Sequence, residues 1–365
     1  MLLTAEEKAR AARFFSDGIR CLATRPVRLM EVCGTHTVAI FRAGIRQLLP
    51  AAVELVSGPG CPVCVTPNEY LDTAIAYCRR PDTIMTTFGD MLRVPGSESS
   101  LMAEKACGAD IRIVYSALDS LVIARDNPGK AVIFLAVGFE TTAPTAAATI
   151  LQADKQGLTN FFVLSAHKLV PPALKAILAT PATRVDGFLL PGHTAVISGL
   201  EPYRFVAGQH GVPAVVTGFE ALDILQGVYM LLQQLQQGQA ELQNQYRRVV
   251  KTDGNPAARA ILDQVYQPAT AGWRGFGLIA GSGLELTAAF RRFDAQAALP
   301  LTVAESREPA GCRCGEVLRG LITPPACPCF GRLCTPEQPV GACMVSVEGA
   351  CAAWYKYGQG RWDCE

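Results

Sequence analysis

The strongest constraint on the fold is an alternation of short apolar runs and amphipathic helices that begins at Val27. Apolar runs of strand length occur at residues 27–32, 53–56, 83–88 and 111–115. Helical patterns lie between and after them, at residues 38–49, 68–78 and 118–125. Strands that alternate with helices in this way are typical of a parallel sheet with helices on its faces. We therefore predict an α/β fold.

The same alternation repeats about a hundred residues later. Apolar runs recur at residues 131–137, 161–164, 185–190 and 214–217. The local sequence agrees, since Cys-Gly-Thr-His-Thr at 33–37 corresponds in position to Gly-Phe-Glu-Thr-Thr at 138–142. Similarity at a fixed offset indicates repeated units. We predict two similar parallel-sheet α/β domains, residues 25–128 and 129–238, with one large doubly wound sheet as the alternative.

The two ends of the chain are predicted to lie outside this repeat. Residues 5–22 have a helical pattern, with Thr4 as N-cap and Glu7 completing a capping box. We expect this N-terminal segment, residues 1–24, to pack on the C-terminal domain. Residues 239–365 are rich in loops and carry most of the cysteines, so we predict a third, smaller domain there.

Composition excludes several classes of protein. The net charge is +1 over 365 residues, which gives no electrostatic case for nucleic-acid binding. No apolar run approaches the roughly 18 residues of a membrane span. The N-terminus carries acids where a signal peptide is apolar. We therefore expect a cytoplasmic protein, in which abundant cysteine indicates metal binding or catalysis more than structural disulfides.

Eight of the fourteen cysteines lie in the last 54 residues. This tail contains no C-x2-C pair of the kind that zinc sites usually show. Four cysteines are instead separated by seven, nine and eight residues, namely Cys327, Cys334, Cys343 and Cys351. Such spacing suits loops that converge on a [4Fe–4S] cluster, which four cysteines ordinarily hold. Zinc and disulfides remain the alternatives.

A second sulfur site is predicted where Gly58-Pro59-Gly60 precedes Cys61-Pro62-Val63-Cys64. A C-x-x-C pair between a strand and a helix resembles a redox dithiol, because a helix N-terminus favours thiolate. The pair could also supply two metal ligands or be two buried turn residues. Cys33 and His36 follow the first strand, and carboxyl ends of parallel strands meet at one edge. We therefore expect Cys33 to face the same crevice as Cys61.

The second repeat offers a matching rim of polar residues. Glu140, His167 and His193 follow its first three predicted strands. A crevice between two domains, with thiols on one side and acid and imidazole groups on the other, would form a reaction chamber. The sequence lacks a P-loop, the Rossmann glycine pattern and a serine-hydrolase elbow.

These strings together resemble the HypD family of hydrogenase maturation factors. The first four matching motifs are Cys-Gly-Thr-His-Thr (33–37), Gly-Pro-Gly-Cys-Pro-Val-Cys (58–64), Gly-Phe-Glu-Thr-Thr (138–142) and Leu-Pro-Gly-His (190–193). The tail adds Cys-Gly-Glu-Val-Leu-Arg-Gly (314–320), Phe-Gly-Arg-Leu-Cys-Thr-Pro-Glu (330–337) and Glu-Gly-Ala-Cys-Ala-Ala-Trp (348–354). They run in order over nearly the whole chain.

The resemblance implies two α/β domains, a third domain with a [4Fe–4S] cluster, and a role in building the Fe(CN)2CO unit of [NiFe]-hydrogenases. It implies a complex with the chaperone HypC that holds Fe(II) while cyanide and CO are attached. Cyanide would come from the HypE–HypF pair. Such a protein is an assembly scaffold with redox activity more than a conventional turnover enzyme. The competing readings are a cluster-driven thiol–disulfide reductase and a zinc-stabilised binding protein.

The resemblance also implies roles for individual residues. Cys33, Cys61 and Cys64 match the essential cleft thiols, with Cys33 as the iron ligand and His36 in the same motif. The cluster ligands it implies are Cys327, Cys334, Cys343 and Cys351. Cys329 departs from the family pattern, which leaves open whether Cys327 or Cys329 binds. Val347 stands where serine is usual. We further expect the Cys61/Cys64 pair to relay electrons from the cluster.

Overall fold

The computed structural model describes residues 4–180 and 182–358, and its strands and helices alternate along most of the chain. The strands are β1 (Val27–Glu31), β2 (Val53–Ser57), β3 (Thr83–Thr87), β4 (Ile111–Ile113), β5 (Ala131–Gly138), β6 (Phe161–His167), β7 (Gly187–Pro191), β8 (Ala214–Thr217), β9 (Leu242–Asn244), β10 (Tyr266–Trp273) and β11 (Gly277–Leu286). This alternation confirms the predicted α/β class.

Helices of very different lengths connect the strands. In chain order they are α1 (Ala5–Leu22), α2 (Gly34–Arg42), α3 (Ile45–Leu48), α4 (Pro62–Val65), α5 (Asn68–Cys78), α6 (Leu101–Ala106), α7 (Asp119–Asp126), α8 (Ala143–Lys155), α9 (Val170–Leu178), α10 (Gly192–Ser198), α11 (Arg204–Gly208), α12 (Ala221–Gln237), α13 (Pro256–Val265), α14 (Ala295–Ala298), α15 (Cys314–Leu318), α16 (Ala342–Val345) and α17 (Ala350–Tyr357). Short 3₁₀ turns cover Gly89–Arg93, Glu201–Tyr203, Ala288–Phe293 and Pro324–Ala326. Among the described residues, no helix has both the length and the apolar composition needed to cross a membrane.

Two separate parallel sheets form the centre of the molecule. Sheet A has the strand order β2-β1-β7-β8-β9, and sheet B has the order β4-β3-β5-β6. Every pairing within these two sheets is parallel. The alternative of one large doubly wound sheet is therefore wrong. Strands β10 and β11 form a separate antiparallel hairpin.

The sheets do not follow the predicted division of the chain at residue 128. Sheet A joins the first two strands of the first repeat to the last two of the second, and sheet B joins the remaining four. Corresponding strands still occupy corresponding places, because β2-β1-β7-β8 matches β6-β5-β3-β4 position by position. The pattern supports a duplication whose halves exchange strands. Periodicity predicted the strands, but it carries no information about which strands pair.

The N-terminal helix α1 begins after Thr4, and the predicted capping box with Glu7 is present. It packs on α12, not on the C-terminal segment that we predicted. The rings of Phe14 and Phe15 lie 5.8 and 5.7 Å from that of Tyr229. Ile19, on the same helix, is fully buried in the core beneath sheet A. The physical reason is that α12 presents an apolar face, which α1 covers.

The cysteine-rich segment lies against both sheets. One packed core contains residues of sheets A and B, the Cys61/Cys64 pair, and cysteines of the C-terminal segment. Two further cores lie beneath sheet B and beneath sheet A. The predicted loop-rich and helical character of this segment is confirmed, since it consists of short helices and turns after the β10–β11 hairpin.

Candidate functional site

Three cysteines lie together at the carboxyl ends of β1 and β2. Cys33 is the N-cap of α2, and Cys61 is the N-cap of α4. Residue 60 must be glycine for these loops to meet, because a Cβ there would lie 2.2 Å from the backbone nitrogen of Cys33. The Gly34 amide donates to the Gly60 carbonyl at 2.9 Å. The expectation that Cys33 faces the same crevice as Cys61 is met.

Cys61 and Cys64 are joined as a disulfide across one turn of α4. The sulfur of Cys61 also accepts a hydrogen bond from the Cys64 amide at 3.2 Å. All three thiol positions are buried, with Cys33 1% exposed, Cys61 3% and Cys64 0%. The pair is therefore a buried disulfide, the oxidised form of a C-x-x-C dithiol.

His193 is in contact with the Cys33 sulfur. Its Nδ1 lies 3.6 Å from the Cys33 sulfur. Burial lowers the pKa of His193 to about 4 and raises the pKa of the Cys33 thiol well above its usual value. His193 follows β7 in sheet A, so the prediction that it shares a rim with Glu140 and His167 is wrong. The strand exchange moved it to the thiol side.

His36 connects the end of β1 to the end of β8. Its Nε2 lies 2.9 Å from the carbonyl oxygen of Gly218, and its ring lies 4.9 Å from that of Phe219. Burial lowers the His36 pKa to about 4, so the ring is neutral. Because a carbonyl only accepts, Nε2 carries the proton, and Nδ1 is left as a buried acceptor without a partner.

Glu31 is a buried acid that the sequence analysis missed. One carboxylate oxygen accepts from the Cys33 amide at 3.1 Å, and the other accepts from the Thr37 hydroxyl at 2.5 Å. Burial raises the Glu31 pKa to about 7. The signal was present, since Glu31 follows the apolar pair Leu29-Met30 at the end of the strand. Its carboxylate fixes the backbone that presents Cys33.

Glu348 closes the same loop from the C-terminal segment. Its Oε1 accepts from the Thr35 hydroxyl at 2.7 Å. Gly34 contacts it closely, because a Cβ at residue 34 would lie 2.5 Å from the Glu348 Cβ. The C-terminal segment is therefore part of the Cys33 site and not only a separate sulfur domain.

Sheet B provides the opposite rim with Glu140 and His167. The Oε1 of Glu140 accepts from the Val170 amide at 2.8 Å, while its Oε2 is buried without a partner. Burial raises the Glu140 pKa to about 7 and lowers that of His167 to about 3. His167 pairs with Gly138 in the sheet and contacts the ring of Tyr266.

Tyr203 lies between the two rims and was also missed. Its hydroxyl is 2.8 Å from the Thr194 hydroxyl, next to His193. Its pKa is raised by burial and, further, by the charges of Glu140 and Cys33. The Tyr203 hydroxyl therefore lies close enough to both Glu140 and Cys33 for their charges to act on it. Nothing in the sequence around Tyr203 marked it.

The tail cysteines line one small cavity. The seven thiols are those of Cys312, Cys314, Cys327, Cys329, Cys334, Cys343 and Cys351, and the other lining residues are Phe330, Gly341 and Met344. The four predicted ligands are thus brought together with three further cysteines. Cys364 lies outside the described residues.

A lining of seven thiols fits an iron–sulfur cluster, which is held by thiolates. Among residues 4–180 and 182–358, no group of three His, Cys, Asp or Glu side chains is arranged to hold a single metal ion. The cavity offers thiol donors, which bind both iron–sulfur clusters and zinc. It also adjoins the disulfide, because the Cys64 sulfur lies 4.0 Å from the carbonyl of Ala342, next to Cys343.

Comparisons with known proteins identify relatives of this chain. A family model described as HypD, hydrogenase formation hypA family, matches residues 10–358. The chain is 48% identical to the hydrogenase maturation factor HypD of Rhodobacter capsulatus, over 95% of this chain and 93% of that protein. It is 48% identical to HypD of Escherichia coli (strain K12), over 92% of this chain and 91% of that protein. The chain belongs to the HypD family of hydrogenase maturation factors.

Proposed function

We propose that this chain is an assembly scaffold on which the Fe(CN)2CO unit of [NiFe]-hydrogenases is built, together with a HypC-type chaperone. Iron is the cargo, and Cys33 is its ligand from this protein, with Cys61 and Cys64 beside it. The observation that carries the proposal is the grouping of three buried cysteines at the ends of β1 and β2. Soft thiolates suit an iron that carries cyanide and CO.

The neighbouring residues have supporting roles in this proposal. Glu31 and Glu348 fix the loop that presents Cys33. The neutral rings of His36 and His193 give the site no positive charge, so the Cys33 thiolate would be stabilised by iron. Glu140 and His167 are predicted to act from the opposite rim, where the free carboxylate oxygen of Glu140 can hold a proton.

The tail cavity is proposed to hold a [4Fe–4S] cluster through Cys327, Cys334, Cys343 and Cys351. When bound, such a cluster supplies single electrons. The disulfide beside it can take up two electrons and two protons to become two thiols. Its position between the cavity and Cys33 supports the predicted relay. If Cys61→Ser and Cys64→Ser proteins both assembled Fe(CN)2CO normally, the relay would be excluded.

The expected partners follow from the same proposal. HypC shares the iron, so its docking surface must lie within reach of Cys33, and HypE with HypF delivers cyanide. We expect the complex to work in the cytoplasm, because the site depends on reduced thiols.

Infrared spectroscopy of the anaerobically purified complex with HypC tests the proposal. We expect bands from bound cyanide and CO in the wild type, their loss in Cys33→Ala, and their retention in the control Cys107→Ala. Cys107 is exposed at the C-terminal end of α6, and it is not one of the three cleft cysteines. Persistence of the bands after Cys33→Ala would overturn the ligand assignment.

A second candidate, a cluster-dependent thiol–disulfide reductase, is favoured by the disulfide itself. It requires turnover of a small disulfide substrate without HypC. Steady reduction of such a substrate, abolished by Cys61→Ser, would support it. Absence of turnover together with the infrared bands would leave the scaffold.

A further inference from the structure

The cavity has more thiols than one cluster needs. A [4Fe–4S] cluster takes four cysteine ligands, and seven thiols line this cavity. Two of the seven, in the sequence Cys327-Pro328-Cys329, are separated by one residue, so both can reach the same iron of a cluster.

A turn brings both thiols to the cavity. Pro328 and Cys329 are in this turn, and the side chains of Cys327 and Cys329 both line the cavity. The side chain of Cys329 also lies within hydrogen-bond reach of that of Cys327. The segment is held in place by hydrogen bonds from the Phe330 amide to the Cys327 carbonyl, 3.0 Å, and from the Cys334 amide to the Cys329 carbonyl, 2.8 Å.

Both cysteines are buried in the core that surrounds the cavity. Cys327 is 8% exposed and Cys329 is 4% exposed. Gly311 leaves room for the second thiol, since a Cβ there would lie 3.3 Å from the Cys329 sulfur.

Cys334 is the useful contrast within the same loop. Its sulfur accepts from the Val340 amide at 3.3 Å, and no cysteine lies two residues to either side. Cys343 is less suitable for this comparison, because the Cys314 sulfur lies only 2.6 Å from the Cys343 sulfur and could replace it as a ligand.

We propose that Cys327 and Cys329 are interchangeable ligands for one iron of the cluster. In the exchange one iron–sulfur bond breaks and another forms, and the proton of the incoming thiol passes to the outgoing thiolate. No electron is gained or lost. The proposal rests on the cluster of the proposed function. It gives the extra cysteine a role, because an iron that loses one of the two thiolates can bind the other at once.

The test is anaerobic reconstitution of single and double variants, read out as iron and sulfide per chain and as the electron paramagnetic resonance signal of the reduced protein. We expect Cys327→Ala and Cys329→Ala each to load as fully as the wild type. The double variant should lose most of its iron. The single substitution Cys334→Ala should be enough to cause the same loss. Cys107→Ala is the control for cysteine removal, and far-ultraviolet circular dichroism checks folding.

A second measurement remains informative if the double variant folds poorly. Both single variants should release iron to a chelator several-fold faster than the wild type, because the neighbouring thiol no longer recaptures it. Loss of the cluster in only one single variant identifies a unique ligand and overturns the exchange. A fully loaded Cys334→Ala, or release rates equal to the wild type, contradicts it as well. A wild type without iron and sulfide would instead defeat the cluster of the proposed function, and the exchange with it.

Discussion

The carboxyl ends of the two sheets have the same backbone arrangement but carry different functional groups, thiols in sheet A and acid and imidazole groups in sheet B. In sheet A, the loop after β1 carries Cys33, and the N-cap of α4 after β2 is Cys61. In sheet B, the corresponding positions are Gly138, the last residue of β5, and Leu169, the N-cap of α9. Both α4 and α9 have proline in the first turn. The two rims therefore share a backbone arrangement, and only the rim of sheet A has cysteine at both positions.

The two rims also differ in how their loops approach. In sheet A the Gly34 amide donates to Gly60, and the backbone of Cys33 fills the space where a Cβ of residue 60 would be. In sheet B the hydrogen bond runs the other way, from the Lys168 amide to the Gly138 carbonyl at 2.9 Å. Lys168 precedes the N-cap Leu169 as Gly60 precedes the N-cap Cys61, so this loop accommodates a long side chain where sheet A requires glycine. The thiol rim is thus the more tightly constrained of the two, and this difference can be tested.

The largest effect is expected from Gly60→Ala. The new Cβ would overlap backbone atoms of Cys33, which cannot move aside as a side chain could, so we expect about 3 kcal/mol of lost unfolding free energy. Urea denaturation measures it. The control is Gly129→Ala, where no atom lies within 4 Å of the added Cβ, and we expect a change within about 0.5 kcal/mol. Equal stability of the two variants would mean that the close approach at the thiol rim is not a constraint.

An intermediate effect is expected from Glu140→Gln as a function of pH. Burial raises the Glu140 pKa from 4.5 to about 7, so the folded state binds a proton that the unfolded state releases. This group therefore makes the wild type lose stability as pH rises from about 4.5 to about 7, with no further change above. Glutamine keeps an acceptor for the Val170 amide and removes the titration.

The measurement is unfolding free energy at pH 5 and pH 7.5. From pH 5 to pH 7.5 we expect the unfolding free energy of the variant, relative to that of the wild type, to increase by about 2 kcal/mol. Curves that stay parallel would mean that Glu140 titrates normally, and the acid rim would then be open to water.

The smallest effect is expected from Tyr203→Phe, which removes the hydroxyl that bonds to Thr194 between the rims. A buried hydrogen bond of this kind contributes about 1 kcal/mol. Thermal or urea unfolding measures the loss, with Tyr115→Phe as control because that ring is 95% exposed. If Thr194→Val and Tyr203→Phe together cost the sum of the single changes, the two hydroxyls are independent.

Local pattern predicted the elements well and their assembly poorly. Strands β1 to β8 and α1 appear near the residues expected, because periodicity and capping act over a few residues, whereas β9, β10 and β11 were not predicted. Pairing of β1 with β7 joins residues far apart in the chain, and no local signal carries that information. For the same reason the sequence assigned His193 to the wrong rim and α1 to the wrong partner.

The candidate site shows the same division. The strand-end rule brought Cys33 and Cys61 together, and the spacing of the tail cysteines anticipated their common cavity. Glu31 and Tyr203 escaped because their partners are identified only in three dimensions. The roles of these residues in iron binding and electron transfer stay predictions, to be decided by the spectroscopy described above.

The exchange of strands between the repeats determines when the molecule can fold during synthesis. Sheet A needs β7 and β8, which are made after more than half of the chain has left the ribosome. The Cys33 loop also waits for Glu348, close to the last described residue. A nascent chain therefore completes the thiol pocket only near the end of its synthesis, when β7, β8 and Glu348 are all present.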